Sequence, residues 1–368
     1  IHTLTCHKNI SLLFEQINKY KPKLAVITDH DSYEQFINKY GKKHNNTKIL
    51  FGVDGLEMAV SDEQVSIVIA AITGFSCVNP IILAIKNNKT ILMANKEILV
   101  SAGDFIISIL NQSQSTLIPI DSEHNALLQV ILSSGLEYKI NDKEYYRSKI
   151  KNLILTASGG PFIDIESKNL KTITPDDAVK HPTWSMGKKI SIDSATMMNK
   201  GLEIIEAKVL FNLKLDNIKA VIHRQSKVHA LVEFFDGTVI AHMSNPDMKI
   251  PISYALTYPQ RIYEYRDDDY EYTDFSFQEL SLDKFPCYRL SRNAAETGKN
   301  SGLILNAANE ISVEYFLGRK ILYTDIPKII EDVLDTSEVI KHSDIESIIE
   351  NDREIRNFTK NLIKNKYL

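Results

Sequence analysis

Two clusters of polar side chains carry the residue types that divalent-metal and phosphate chemistry needs. Asp121-Ser122-Glu123-His124 follows directly on the apolar run Thr116–Ile120. In open α/β sheets, ligands gather beyond the carboxyl ends of the strands. Asp121 and Glu123, two residues apart, can face one side there, and with a third carboxylate from elsewhere they would suit Mg²⁺ or Mn²⁺. The plainer alternative is that Asp121 or Ser122 caps the helix that follows. The second cluster runs from Asp193-Ser194 through Asn199-Lys200 to Glu203 and Glu206. Asn199, Glu203 and Glu206 follow i, i+4, i+7 spacing and would share a helical face. Ser194, Asn199 and Lys200 are the right types for a phosphate cradle, and Glu203 is a candidate third metal ligand. An amphipathic helix with a polar face would give the same spacing with no ligand at all.

Three further segments have the same double reading. Ser158-Gly159-Gly160-Pro161 ends the strand expected over Asn152–Ala157, and such a turn exposes backbone N–H groups to an anion. His181-Pro182-Thr183-Trp184-Ser185-Met186-Gly187 holds the only tryptophan, as a core residue or as part of a lid that excludes water. Ala94-Asn95-Lys96-Glu97 places a lysine at a helix start, where the positive end of the helix disfavours it. An anion nearby would resolve that conflict.

The elements that must position these residues are legible in outline. Short aliphatic runs (Leu24–Thr28, Ile67–Ile72, Ile91–Met93, Thr116–Ile120) alternate with helical periodicity, as in Ile10, Leu13, Phe14 and Ile17 after Asn9. This predicts βαβ units on a parallel sheet. The glycine-rich loop GxGxxG that opens such sheets is absent, and the chain begins with Ile1, so a first strand and phosphate loop are expected before it. Residues 123–257 mix strands and loops, and Tyr263 to Phe275 reads as an exposed linker. From Phe285 the pattern is helical, with Ile326, Ile329, Ile330 and Val333 on one face. The fold class is therefore α/β, with an α+β middle and a C-terminal helical bundle.

Composition narrows the function. A net charge of −4, from 43 basic and 47 acidic side chains, argues against nucleic acid or an anionic membrane as main partner. Three dispersed cysteines suggest neither a disulfide framework nor a zinc site, and fit a reducing compartment. The longest mostly apolar run, Val65 to Phe75, is far short of the ~20 residues that span a bilayer. Fourteen glycines in 368 residues is about half the usual share of ~7%; restoring a glycine-rich front loop would barely change that, so the shortage is compositional.

Taken together, the motifs resemble the 1-deoxy-D-xylulose 5-phosphate reductoisomerase family. They are Asn95-Lys96-Glu97, Asp121-Ser122-Glu123-His124, Ser158-Gly159-Gly160-Pro161-Phe162, His181-Pro182-x-Trp184-x-Met186-Gly187, Asp193 to Glu203 and Asn306-Ala307-Ala308-Asn309-Glu310, in family order and spacing over essentially the whole chain. The resemblance implies an NADPH-dependent, Mg²⁺- or Mn²⁺-requiring homodimer of the non-mevalonate isoprenoid pathway. Such an enzyme rearranges 1-deoxyxylulose 5-phosphate and reduces the product to 2-C-methylerythritol 4-phosphate. By position, Asp121, Glu123 and Glu203 would hold the metal. Lys96, Ser122, Glu123, Ser158, His181, Ser194, Asn199, Lys200 and Glu203 would face substrate, with Glu123, Lys96 and His181 catalytic and Trp184 and Met186 in a flexible lid. Lys8, Asn9, Asn95, Glu97 and Gly187 would contact NADPH.

The implied domains are 1–122 (Rossmann-like, NADPH-binding, truncated at its front), 123–257 (catalytic and dimerisation, with the lid), 258–283 (linker) and 284–368 (C-terminal α-helical). Without the front loop, NADPH phosphates lose their main cradle, so this chain alone is expected to bind NADPH poorly. Several positions depart from the family pattern: His7 for a glycine, Ile98 for a serine, Arg224 for a proline, Lys227 for an aliphatic residue and Tyr258 for a tryptophan. The rival readings are a related NADPH-dependent phosphosugar reductase, or a metal- and phosphosugar-binding module without redox activity. A bacterial cytoplasm is the expected compartment, or a plastid-type organelle if a transit peptide precedes the chain.

Overall fold

The computed structural model describes residues 1–179, 187–262, 270 and 274–368. The fold is mixed α/β, and the chain divides into two compact units, Ile1–Asn95 with Ser108–Ile118, and Lys96–Ile107 with Pro119–Leu368.

In the first unit, the parallel strands Thr3–Cys6, Leu24–Ile27 and Thr47–Phe51 lie side by side, with the short Lys43–His44 antiparallel at the edge. Helix Ile10–Tyr20 starts at Asn9, whose side chain accepts from the Leu12 N–H, and buries Leu13 and Ile17. Those two residues pack with Ala25, Ile27, Phe36 and Ile49 in one core cluster. A second set follows the order Ile67–Ala70, Thr90–Met93, Leu117–Pro119. The expected parallel sheet is thus present as two hydrogen-bonded sets, with Thr3–Cys6 at an edge of one and Ile67–Ala70 at an edge of the other. Thr3–Cys6 and Thr47–Phe51 escaped the sequence reading because their short runs mix Thr, Cys and Lys with the aliphatic residues.

The second unit is built on a five-stranded sheet in the order Val239–Met243, Val228–Phe234, Ile150–Ala157, Ile218–Ile222, Gln278–Glu279. Only the pair Ile150–Ala157 with Ile218–Ile222 is parallel. The last two-residue strand falls inside the expected linker, most of whose Tyr- and Asp-rich part lies outside the described residues. Four helices close the chain: Pro286–Thr297, Ser301–Leu317, Asp325–Thr336 and Ile345–Lys366. Ile326, Ile329, Ile330 and Val333 are all fully buried, so the predicted face is the packed one. Burying side chains of this size stabilises by roughly 1.5–3 kcal/mol each. Helix Met198–Phe211 packs on Pro286–Thr297 at Gly201, where a Cβ would fall 2.1 Å from Ser291 Oγ.

Candidate active site

Both polar clusters of the sequence lie in the second unit and meet there. Asp121 precedes helix Ser122–Ser133, and its carboxylate makes no capping bond to that helix. The turn is held instead by Asn125, whose Nδ2 donates to the Pro119 carbonyl at 2.9 Å and which accepts from Gln129 at 2.8 Å. Asp121 is thereby left to face Lys96, whose Nζ bonds its Oδ2 and also meets Asn199 Oδ1 at 3.0 Å and Glu203 Oε1 at 3.2 Å. The anion expected near Lys96 is therefore supplied by the chain itself.

Helix Met198–Phe211 brings the rest. Met197, with φ +62°, turns the chain sharply between helices Lys188–Ala195 and Met198–Phe211. Lys200 Nζ reaches Glu123 Oε1 at 2.6 Å and bonds Glu203 Oε2, and Asn199 Nδ2 bonds Glu203 Oε1. Ser122 Oγ donates to Glu123 Oε2 at 2.5 Å. One carboxylate oxygen from each of Asp121, Glu123 and Glu203 lies within 4.8 Å of the others. Three hard oxygen donors this close are a donor set for a small divalent cation, and two ammonium groups occupy the place its charge would take.

Electrostatics follow from burial and from this crowding. Burial, then the Glu123 charge, pushes the Glu203 carboxyl up to about 7, against the pull of Lys200 and Lys96. Burial would raise Glu123 too, but the Lys200 ammonium and the Ser122 hydroxyl hold it well below the usual range. Burial opposes charge on Lys96 and Lys200; the surrounding carboxylates outweigh it and keep both protonated.

Behind the triad sits a second layer that the spacing only partly announced. Glu206 shares the helical face with Glu203, as predicted, but lies 3.4 Å from His124 Nδ1 with both residues out of solvent. Burial raises Glu206 well above the carboxylate range and lowers His124 to about 4. His124 Nε2 meets the Glu203 carbonyl oxygen at 2.9 Å, which assigns the proton to that nitrogen. Asp121, His124 and Glu206 also satisfy the proximity of a metal set, sharing Asp121 with the three-carboxylate group.

The Ser158 turn lies beside the second cluster. Gly159 and Gly160 have φ +89° and +69°, and a Cβ on Gly160 would fall 2.8 Å from the Ser194 carbonyl oxygen. Glycine is required for that approach, which sets Ser158 and Ser194 near one another. His181, Trp184 and Met186 lie outside the described residues.

The residues expected at the cofactor are not gathered in one unit. Lys8, Asn9 and Asn95 belong to the first, Glu97 and Gly187 to the second. Lys8 is exposed, Asn9 caps a helix, and Asn95 is buried with its Nδ2 donating to the carbonyls of Ile72 and Gly74. Gly187 caps helix Lys188–Ala195, and Glu97 faces Lys189 at 2.7 Å. Of the departures, His7 meets Thr28 Oγ1 at 3.0 Å, Ile98 is buried, Arg224 forms a two-pronged pair with Asp164, and Lys227 donates to Asn245 at 2.7 Å. Lys189, Asp193 and Asn309, linked in one chain of polar contacts, had no assigned role in the sequence.

Sequence comparisons cover most of this architecture. Residues 1–103 match a family model described as 1-deoxy-D-xylulose 5-phosphate reductoisomerase, and residues 117–211 and 243–358 match models of that enzyme's C-terminal domain regions. The reductoisomerase of Wigglesworthia glossinidia brevipalpis is 44% identical over 97% of this chain and 90% of its own length. That of Nitrosomonas europaea is 42% identical over 96% of this chain and 84% of its own. Among solved structures, a DOX-P reductoisomerase in complex with NADPH, fosmidomycin and magnesium superposes with TM-score 0.91 at 41% identity, over 99% of this chain and 91% of that one. The enzyme of Zymomonas mobilis in complex with NADPH gives 0.87 at 35% identity, over 98% and 91%.

Proposed function

Because the chain belongs to the 1-deoxy-D-xylulose 5-phosphate reductoisomerase family, we propose that Asp121, Glu123 and Glu203 form its catalytic centre. The reaction is the NADPH-dependent rearrangement and reduction of 1-deoxy-D-xylulose 5-phosphate to 2-C-methyl-D-erythritol 4-phosphate, with Mg²⁺ as metal. Mn²⁺ suits the same all-oxygen triad. The observation that carries the assignment is the meeting of three carboxylates within 4.8 Å around Lys96 and Lys200.

Asp121, Glu123 and Glu203 would hold the cation, which would supply Lewis-acid polarisation of the substrate's ketone and stabilise negative charge on its oxygen. The chain's own side chains do the rest. Lys96 and Lys200, paired with these carboxylates in the structure, would be free to turn to the anionic oxygens of the substrate once a cation's charge took their place. Ser158, Ser194, Asn199 and Lys200 take the phosphate, and binding energy gathered there is spent on orienting the reacting carbons. Ser122 and Glu123 hold the sugar oxygens, with His181, Trp184 and Met186 completing the substrate set. Lys8, Asn9, Asn95, Glu97 and Gly187 receive NADPH.

The proposal keeps the partition into 1–122, 123–257, 258–283 and 284–368, a homodimer, and a bacterial cytoplasm. The edge strand Val239–Met243 supports the dimer: Val239 is 50% exposed, Met243 39% and nearby Phe235 62%. Exposed apolar side chains on a strand that is an edge among the described residues suit a partner strand. The deciding experiment follows NADPH absorbance with deoxyxylulose phosphate and Mg²⁺ or Mn²⁺, using the full-length protein. Metal-dependent loss of absorbance is expected, and its absence would sink the reading.

A further inference from the structure

Lys96 and Glu97 are neighbours in the first turn of helix Lys96–Leu110, yet they serve different partners. Lys96 reaches the carboxylates of the candidate centre, whereas Glu97 accepts a hydrogen bond from Lys189 Nζ at 2.7 Å. Lys189, in the first turn of helix Lys188–Ala195, also meets Asp193 Oδ2 at 2.8 Å, one turn further along. The other oxygen of Asp193 accepts from Asn309 Nδ2 at 2.8 Å, on helix Ser301–Leu317. Asp193 is 1% exposed and Asn309 not at all. Burial opposes the charge on Lys189, and the carboxylates of Asp193 and Glu97 outweigh it, so the ammonium persists.

The position of this ion-pair chain is what gives it a role. Beside Glu97 stands Lys96, at the metal end of the proposed site. Beside Asp193 stands Ser194, against the Ser158–Gly160 turn at the phosphate end. We propose that Lys189 is a positioning residue that sets the span between the metal end and the phosphate end, acting through Glu97 and Asp193. The inference rests on the functional reading above. A sugar phosphate that must touch both ends at once depends on that span, and a misplacement of ~1 Å can cost ~10²-fold. The same geometry gives the Glu97 carboxylate a partner other than the cofactor.

The test is isothermal titration of deoxyxylulose phosphate into the full chain with Mg²⁺ and no NADPH, so that the readout does not depend on turnover. Lys189→Met should weaken the sugar phosphate roughly tenfold or more, while Mg²⁺ affinity and the KM for NADPH stay within about twofold. Lys189→Arg, which keeps the charge, should recover most of the loss. Glu97→Gln should reproduce it, and the double variant should lose no more than either single one, as expected of residues acting through one contact. Unchanged sugar-phosphate affinity in a folded Lys189→Met would overturn the proposal. So would a Glu97→Gln variant that weakens NADPH and spares the sugar phosphate. If Lys189→Met does not fold, Glu97→Gln decides by its sugar-phosphate affinity alone. An unaltered chain that does not bind the sugar phosphate with Mg²⁺ alone removes this proposal, whereas the functional reading stands or falls separately on the NADPH assay.

Discussion

Lys200 meets Glu123 at 2.6 Å with 3% and 16% of the two side chains exposed; Arg224 meets Asp164 at the same distance with 41% and 72% exposed. The chemistry of the two contacts is nearly identical, and burial separates their consequences. Around Lys200 there is little water to compensate a lost partner, so each charge depends on the others. Around Arg224 solvent replaces whatever is removed, and an exposed pair of this kind contributes little to stability. Geometry alone therefore does not identify a functional ion pair. Burial, and the number of charges sharing one space, does.

Substitutions can break this contrast in graded steps. Glu203→Gln should lower kcat by at least about 10³-fold, because losing the proposed third ligand would remove several kcal/mol of charge stabilisation by the metal. NADPH oxidation at saturating Mg²⁺ measures it, and near-normal turnover would refute the triad. Lys200→Met should cost the metal-free protein roughly 3–5 kcal/mol, the usual penalty for stranding a buried charge, and Mg²⁺ should restore most of it. Thermal melts with and without Mg²⁺ test this, and a deficit that Mg²⁺ leaves untouched would mean the ammonium is not standing in for the ion.

A smaller effect comes from the histidines of the sheet. Burial, then His229 and Arg261, lowers His242 to about 4, and burial lowers His229 as well. The unfolded chain binds more protons than the folded one between about 6.5 and about 4, so stability should fall as pH drops through that window, by up to about 3 kcal/mol for His242. His242→Asn should flatten the acid limb of a denaturation series; an unchanged limb would place the titration elsewhere. Arg224→Ala, at the bottom of the scale, should leave the unfolding midpoint unchanged and kinetic constants within about twofold. A large effect there would overturn the contrast between buried and exposed pairs.

Local spacing carried a good part of this into the sequence. Asp-x-Glu after an apolar strand, and Asn199, Glu203 and Glu206 on one helical face, marked the triad's residues before any fold was known. The misplaced lysine at a helix start pointed to an anion near Lys96, although the anion is internal carboxylate and no ligand is needed to explain it. The helical face of Ile326 to Val333 was legible because periodicity is a local property. What stayed hidden was set by partners distant in the chain: Lys189 lies 92 residues from Glu97, and Asn309 lies 116 from Asp193. A lysine or asparagine alone has no pattern that names its partner. Arg224 stood out as a departure from the family, but only folding shows that Asp164 receives it.

Gly201 has a consequence for how the gene product could be divided. Its missing Cβ lets the helix bearing Glu203 lie against Ser291, and the buried helix Ser301–Leu317 supplies Asn309 to Asp193. The last eighty-odd residues contribute no proposed ligand or substrate contact, yet they form the wall on which the helix carrying Glu203 rests. Cutting the chain in the 258–283 stretch should therefore yield two inert fragments that regain activity only when mixed and reassembled, because the tail serves as the mould in which the active part sets.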